Sequence, residues 1–118
     1  MKESVLFTPF KLGPLELRNR TIRSAAFASM GKDFGPTQML KDYHVSVAKG
    51  GIGMTTLAYA SVNRSGISFN SQLWLRDAIV PALRDITDAI HAEGAAAGIQ
   101  IGHCGNMTHW RTAGCFPV

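Results

Sequence analysis

Apolar and polar positions change rhythm several times along this chain, and each change marks an element. Between Leu6 and Arg18 the apolar positions Leu12, Leu15 and Leu17 are interrupted by Gly13-Pro14, which predicts two short strands around a turn. Thr21 to Ala26 is a short run unbroken by turn residues and is read as a strand. It is followed by a polar loop containing Gly31, Asp33, Gly35 and Pro36. Thr37 is placed to cap a helix in which Met39, Leu40, Tyr43, Val47 and Ala48 recur at three- and four-residue steps until Gly50-Gly51. Ile52 to Ala60 is nearly uncharged and lacks alternation, as expected of a strand covered on both faces. A Ser-, Asn- and Gly-rich loop runs from Ser61 to about Gln72. A second helix is predicted from near Asp77, with Pro81 in its first turn, Leu83, Ile86, Ala89 and Ile90 as its stripe, and Gly94 as its stop. Ala96 to Gly102 reads as a further strand, and His103 to Val118 as a loop without periodicity.

The resulting order is hairpin, β, α, β, α, β, loop, an α/β pattern that implies parallel strands joined by right-handed crossovers. At about 30 residues per unit, a chain of 118 residues supplies only about three strands of a (β/α)8 TIM barrel. The expected fold is therefore a partial barrel: residues 1–118 form one segment, with an N-terminal hairpin over 1–20 and the first β/α units over 21–118. Three parallel strands and two helices leave apolar edges bare, so the expected partner is a second copy of the chain or a complementing chain.

Composition narrows the picture further. The chain is 46% hydrophobic and 17% charged, proportions of a globular protein, with a formal net charge of +4. Its 12 Lys and Arg residues are spread along the sequence apart from Arg18, Arg20 and Arg23, so no basic stripe argues for nucleic acid. Arg23 reads as a member of a surface pair. No apolar run is long enough to cross a bilayer, and Met1-Lys2-Glu3-Ser4 lacks the apolar core of a signal peptide, so the expected location is cytoplasmic. Cys104 and Cys115 do not make a disulfide framework and are expected to be thiols.

Several stretches resemble the N-terminal part of the old yellow enzyme family of FMN-dependent NADH:flavin oxidoreductases and ene-reductases. They are Leu6-Phe7-Thr8-Pro9-Phe10-Lys11-Leu12-Gly13 with Leu17-Arg18-Asn19-Arg20; Gly35-Pro36-Thr37, Tyr43 and Ala48-Lys49-Gly50-Gly51-Ile52-Gly53; and His91-Ala92-Glu93-Gly94 with Gln100-Ile101-Gly102-His103-Cys104-Gly105. The resemblance implies a TIM barrel with FMN at the carboxyl ends of its strands. It implies that Ser24, Ala25 and Ala26 border the flavin through backbone groups, that Tyr59 contacts it, and that Gln100 hydrogen-bonds the polar edge of the ring with an amide that donates and accepts. It further implies NAD(P)H as reductant and an enone-type small molecule as hydride acceptor. The chain departs from the family at Phe27, where a hydroxyl or thiol is usual, and at Asn106, where an arginine is usual. The family's substrate-carbonyl pair, proton-donating Tyr and phosphate site belong to later strands, so the chain alone is expected to be inactive.

Two other readings compete. His103, Cys104, His109 and Cys115 carry zinc's preferred donor types, although no Cys-x-x-Cys hook joins them, and would make a small structural metal module. A non-catalytic chain that associates through its bare edges is the other. Gly51-Ile52-Gly53 is not a dinucleotide loop, because these glycines close a helix and begin a strand rather than the reverse.

Overall fold

A computed structural model describes residues 4–117 of the chain. The stretch Met1 to Glu3, read above as lacking a signal-peptide core, and Val118, the end of the predicted final loop, lie outside the described residues.

The hairpin forms as expected. Strand β1 (Phe10–Leu12) pairs antiparallel with β2 (Leu15–Leu17), Leu12 opposite Leu15, across a two-residue connection whose Gly13 has φ of +58°. The expected strand over Thr21 to Ala26 is shorter than its pattern suggests: only Ile22–Arg23 forms β3. Ile22 and Arg23 pair with Met54 and Thr55, and Ser24 to Ala26 continue without a ladder partner.

Helix α1 (Gln38–Lys49) begins where Thr37 accepts a hydrogen bond from the Leu40 backbone N–H through Oγ1, and it ends at Gly50, with Gly51 at φ +95° turning the chain out. Its buried stripe is Leu40, His44 and Ala48, a clean i, i+4, i+8 series. Met39, expected in that stripe, is 64% exposed, because it stands one position off the face that the other three share. Strand β4 (Met54–Ser61) follows, entering two residues later than expected. Gly53 accounts for the delay: a Cβ there would stand 2.6 Å from the Asn19 carbonyl oxygen and 3.0 Å from that of Thr21, so this backbone is held against the chain that precedes β3.

The Ser61 to Gln72 loop carries a 3-10 turn at Arg64–Gly66 and is followed by a two-residue strand, β5 (Leu73–Trp74), which has too few residues to give a periodic signal. Helix α2 (Val80–Ala92) is preceded by a 3-10 turn at Asp77–Ile79, has Pro81 in its first turn, and buries Ile86 and Ile90. Strand β6 spans Ala96–Gly102, as its pattern predicts. The tail is not a plain loop: a 3-10 turn covers Gly105–Met107 and a one-turn helix, α3, covers Trp110–Ala113.

All sheet contacts of β4 are parallel. β6 lies on one edge of β4, and β3 and β5 share the other, β3 at its start and β5 at its end. Strands β3, β4 and β6 are thus consecutive neighbours connected through α1 and α2, which pack together on one face, and a 2.8 Å ion pair from Lys41 to Asp85 joins the two helices. The core between sheet and helices holds Leu40, Ala48, Leu57, Ala60, Leu73, Ile86, Ile90 and Ala95. Leu57 and Ala60 are three apart and would face opposite sides of a regular strand; a register shift between them brings both into this core.

The opposite face of the sheet has no covering layer among the described residues. Ile22 on β3 is 48% exposed there, and Gln100 on β6 is exposed there too. The radius of gyration, 16.0 Å, exceeds the ~13.5 Å of a compact domain this long, with extents of 58 × 25 × 23 Å.

Candidate functional site

In parallel sheets of this kind the carboxyl ends of the strands are where side chains of different strands converge. Here those ends are Ser61 of β4 and Gly102 of β6, and a groove of about 260 Å³ lies beside them, lined by Tyr59, Gln100, Ile101, Gly102, His103 and Cys104. Gln100 falls between Ile99, which packs on the core, and Ile101, so pleat alternation directs it to the sheet's open face, where it is exposed. Its carboxamide is free to donate and to accept.

Tyr59 is half-buried and comes to the same groove from β4. Its hydroxyl lies 3.2 Å from the Cys104 sulfur, and burial first, then that contact, push the phenol above its ordinary pKa of 10.0. Tyr59 therefore keeps its proton at neutral pH. Its ring is packed edge-on by Phe27 at 5.6 Å between centroids, and Phe27 in turn stacks on Phe69 at 4.9 Å.

That aromatic contact also places the segment Ser24 to Ala26. It runs from Arg23, paired to β4, to Phe27, seated on Tyr59, so its backbone passes the same end of the sheet. Ser24 and Ala26 are exposed and Ala25 is half-buried. The structure thus gathers Tyr59 and Gln100 on one groove and brings Ser24, Ala25 and Ala26 alongside through Phe27, without a direct contact between the two sets. Arg23 is not in a surface ion pair: its guanidinium donates to the Tyr43 hydroxyl at 3.1 Å and to the Thr56 carbonyl at 3.2 Å.

The four candidate zinc ligands do not converge. Cys104 is engaged by Tyr59; His103 Nε2 lies 2.9 Å from the Ser65 hydroxyl; His109 Nδ1 accepts from the Arg111 backbone N–H at the start of α3; and Cys115 is exposed. Among the described residues no group of three His, Cys, Asp or Glu side chains is placed to hold a metal ion. With three of the four engaged by other groups and Cys115 exposed, the metal-module reading is corrected. Likewise, no helix among the described residues is long and apolar enough to cross a membrane.

Two structural residues escaped the sequence reading. Arg18 reads in the sequence as one of a cluster of charges and as part of the stretch Leu17-Arg18-Asn19-Arg20, with no structural role, yet its guanidinium donates to the carbonyls of Ala48, Ile52 and Glu93, three points where α1 ends, β4 begins and α2 ends. His44 was silent within the α1 stripe, yet its Nδ1 lies 2.8 Å from the Thr55 hydroxyl in the core.

Comparison with known proteins gives the chain a family and agrees with its fold. Residues 5–112 match the model of the NADH:flavin oxidoreductase / NADH oxidase family. The chain is similar to the 4,4'-dithiodibutanoate disulfide reductase of Rhodococcus erythropolis, 43% identical over 100 residues covering 85% of this chain and 25% of that protein. It is also similar to a probable N-methylproline demethylase of Rhizobium meliloti (strain 1021), 40% identical over 120 residues covering 100% of this chain and 18% of that protein. Among solved structures, an old yellow enzyme homologue from Zymomonas mobilis superposes with a TM-score of 0.87 at 23% identity, covering 97% of this chain and 32% of the other, a likeness of fold. A 2-naphthoyl-CoA reductase superposes equally well, TM-score 0.87 at 26% identity, covering 94% of this chain and 17% of the other. The chain thus spans a quarter or less of the length of the two curated relatives named, and its parallel β/α units are part of a TIM barrel.

Proposed function

The chain belongs to the NADH:flavin oxidoreductase / NADH oxidase family, and from that premise we propose that residues 1–118 act as one segment that supplies one side of an FMN site. The observation that carries this reading is the convergence of Tyr59 and Gln100, from adjacent parallel strands, on one groove at the strands' carboxyl ends. The donor set suits a flavin. Gln100 offers an amide that donates to and accepts from the ring's polar edge, Tyr59 offers a protonated hydroxyl and a flat ring, and Gly102 has open space beside it. Ser24, Ala25 and Ala26 border the ring with main-chain groups and small side chains. Residues for the remaining walls and for the substrate come from polypeptide beyond this segment, provided by a complementing chain or by further copies in a homo-oligomer.

A bound FMN would supply hydride transfer from NAD(P)H to an alkene activated by a carbonyl, an enone-type substrate. This chain's own contribution is orientation: Gln100 fixes the ring's polar edge, and the Phe27–Tyr59 contact fixes the wall against which the ring lies. The groove is open on the side where the next strand of a barrel stands, so binding by the chain alone is weak and the chain alone is inactive.

Replacing Gln100 with leucine is expected to weaken FMN binding about tenfold, the worth of one well-placed hydrogen bond to a polar ring edge. Titration of the chain into FMN, followed by flavin fluorescence, measures this. Equal affinity in the Gln100→Leu variant would remove the groove from the reading.

A further inference from the structure

The basic residues are scattered in sequence, but the fold gathers two of them on one indole. Arg64, in the turn after β4, and Arg76, after β5, place their guanidinium carbons 5.8 and 4.9 Å from the centre of the Trp74 ring, and Arg64 also lies 5.3 Å from that of Phe34. Arg76 is held by backbone: it donates to the carbonyls of Phe34 and Trp74 at 3.0 Å each and to that of Asp33 at 3.1 Å. Arg64 is different. Its guanidinium donates no hydrogen bond among the described residues, where the ion pairs are Lys41–Asp85 and Lys49–Glu93, so neither arginine faces a carboxylate. Gly114, at the end of α3, packs against Arg64, with an ideal Cβ position 3.4 Å from Nε and 3.8 Å from Nη2, and the Arg64 side chain as a whole is exposed.

Two like charges on one ring with no counter-charge make a locally positive spot, and the aromatic faces hold the free guanidinium in one orientation before any ligand arrives. A planar fork of unused donors matches the oxygens of a phosphate, which takes two parallel N–H···O bonds. Ser65, next in sequence, lies 2.9 Å from His103, which lines the Gln100 groove.

We propose that Arg64, with Arg76 and Trp74, forms a binding site for the phosphate group of a small organic phosphate. This goes beyond the flavin reading and does not depend on it, and its test contains no flavin. The fluorescence of Trp74, isolated in a Trp110→Phe background of the full chain, is titrated with sodium pyrophosphate and with ADP, each against sodium chloride at equal ionic strength. A saturable response to both phosphates, weakened at least tenfold by Arg64→Gln and less by Arg64→Lys, supports the site. The control Lys11→Gln, in the hairpin at the other end of the sheet, is expected to bind as the parent does. A response that chloride reproduces, a loss in Lys11→Gln equal to that in Arg64→Gln, or binding of ADP without any of pyrophosphate would each overturn it, the last because it would mean recognition of the base. Arg64 is exposed, and unchanged circular dichroism in Arg64→Gln separates lost binding from lost fold.

Discussion

Arg18→Met is expected to destabilise the chain by about 4 kcal/mol, the largest effect of any single substitution outside the apolar core. The last carbonyls of a helix have no partner within the helix. Here one guanidinium serves Ala48 near the end of α1 and Glu93 at the end of α2, at 2.7 Å for the latter, and also takes Ile52 at 2.9 Å just ahead of β4. Hydrogen bonds from a charged donor contribute about 1.5–3 kcal/mol each, and a cation at a helix C-terminus adds a few tenths to one more. The three bonds share one side chain that is only half-buried, so their sum is discounted. Gly94 takes part by what it lacks: a Cβ there would stand 3.2 Å from Arg18 Nη1. Urea unfolding of the wild type, Arg18→Met and Arg18→Lys measures the effect. The lysine variant is expected to recover only a part, because an ammonium cannot reach three carbonyls in the directions that a guanidinium spans. A methionine variant within about 1 kcal/mol of wild type would show that the carbonyls are satisfied by water instead.

The second large effect is a pH dependence set by His44. It is 1% exposed, and burial first, with the nearby positive charge of Arg23 second, lowers its pKa from 6.5 to about 4. The unfolded chain therefore binds this proton more readily than the folded one. Above pH 6.5 both states hold a neutral imidazole and His44 contributes no pH dependence; as pH falls from 6.5 toward 4 the unfolded state is favoured, and below 4 the loss levels off. The full loss is about 3 kcal/mol, at about 1.4 kcal/mol for each unit between the two values. His44→Gln keeps a group able to bond Thr55 and removes the titration. The drop in unfolding free energy between neutral and mildly acid buffer should therefore be smaller in the variant by about that amount. If both proteins lose the same stability over this range, other groups control it.

The two residues behind these predictions mark where sequence reading reaches its limit. Helical spacing, the Thr37 cap and the Gly50-Gly51 and Gly94 stops located α1 and α2, and the uncharged runs located β4 and β6, because each signal is local. Arg18 acts through carbonyls 30, 34 and 75 positions away, and a spacing rule has no view of such distances. His44 sits at a position that fits a buried helical face by its phase but not by its polarity; only Thr55 across the interface reconciles the two. The strand expected through Ala26 stops at Arg23 because pairing, not apolarity, ends a strand, and β5 exists only because Ala60 and Ser61 lie next to Leu73 and Trp74. At the site, Gln100 and Tyr59 were legible from their strands together with the resemblance. The Tyr59–Phe27–Phe69 contacts and the Arg64–Trp74–Arg76 stack were not, since each depends on how separate elements pack and not on a local spacing.

The central claim is that this chain carries one wall of a flavin site and needs further polypeptide to close it. It is tested most directly by equilibrating the purified chain with FMN, passing it through a sizing column, and recording visible absorption and light scattering together across the elution. The account predicts that protein of one-chain mass emerges without flavin, with any retained flavin confined to species heavier than one chain. One FMN held by each single chain through the column would contradict it.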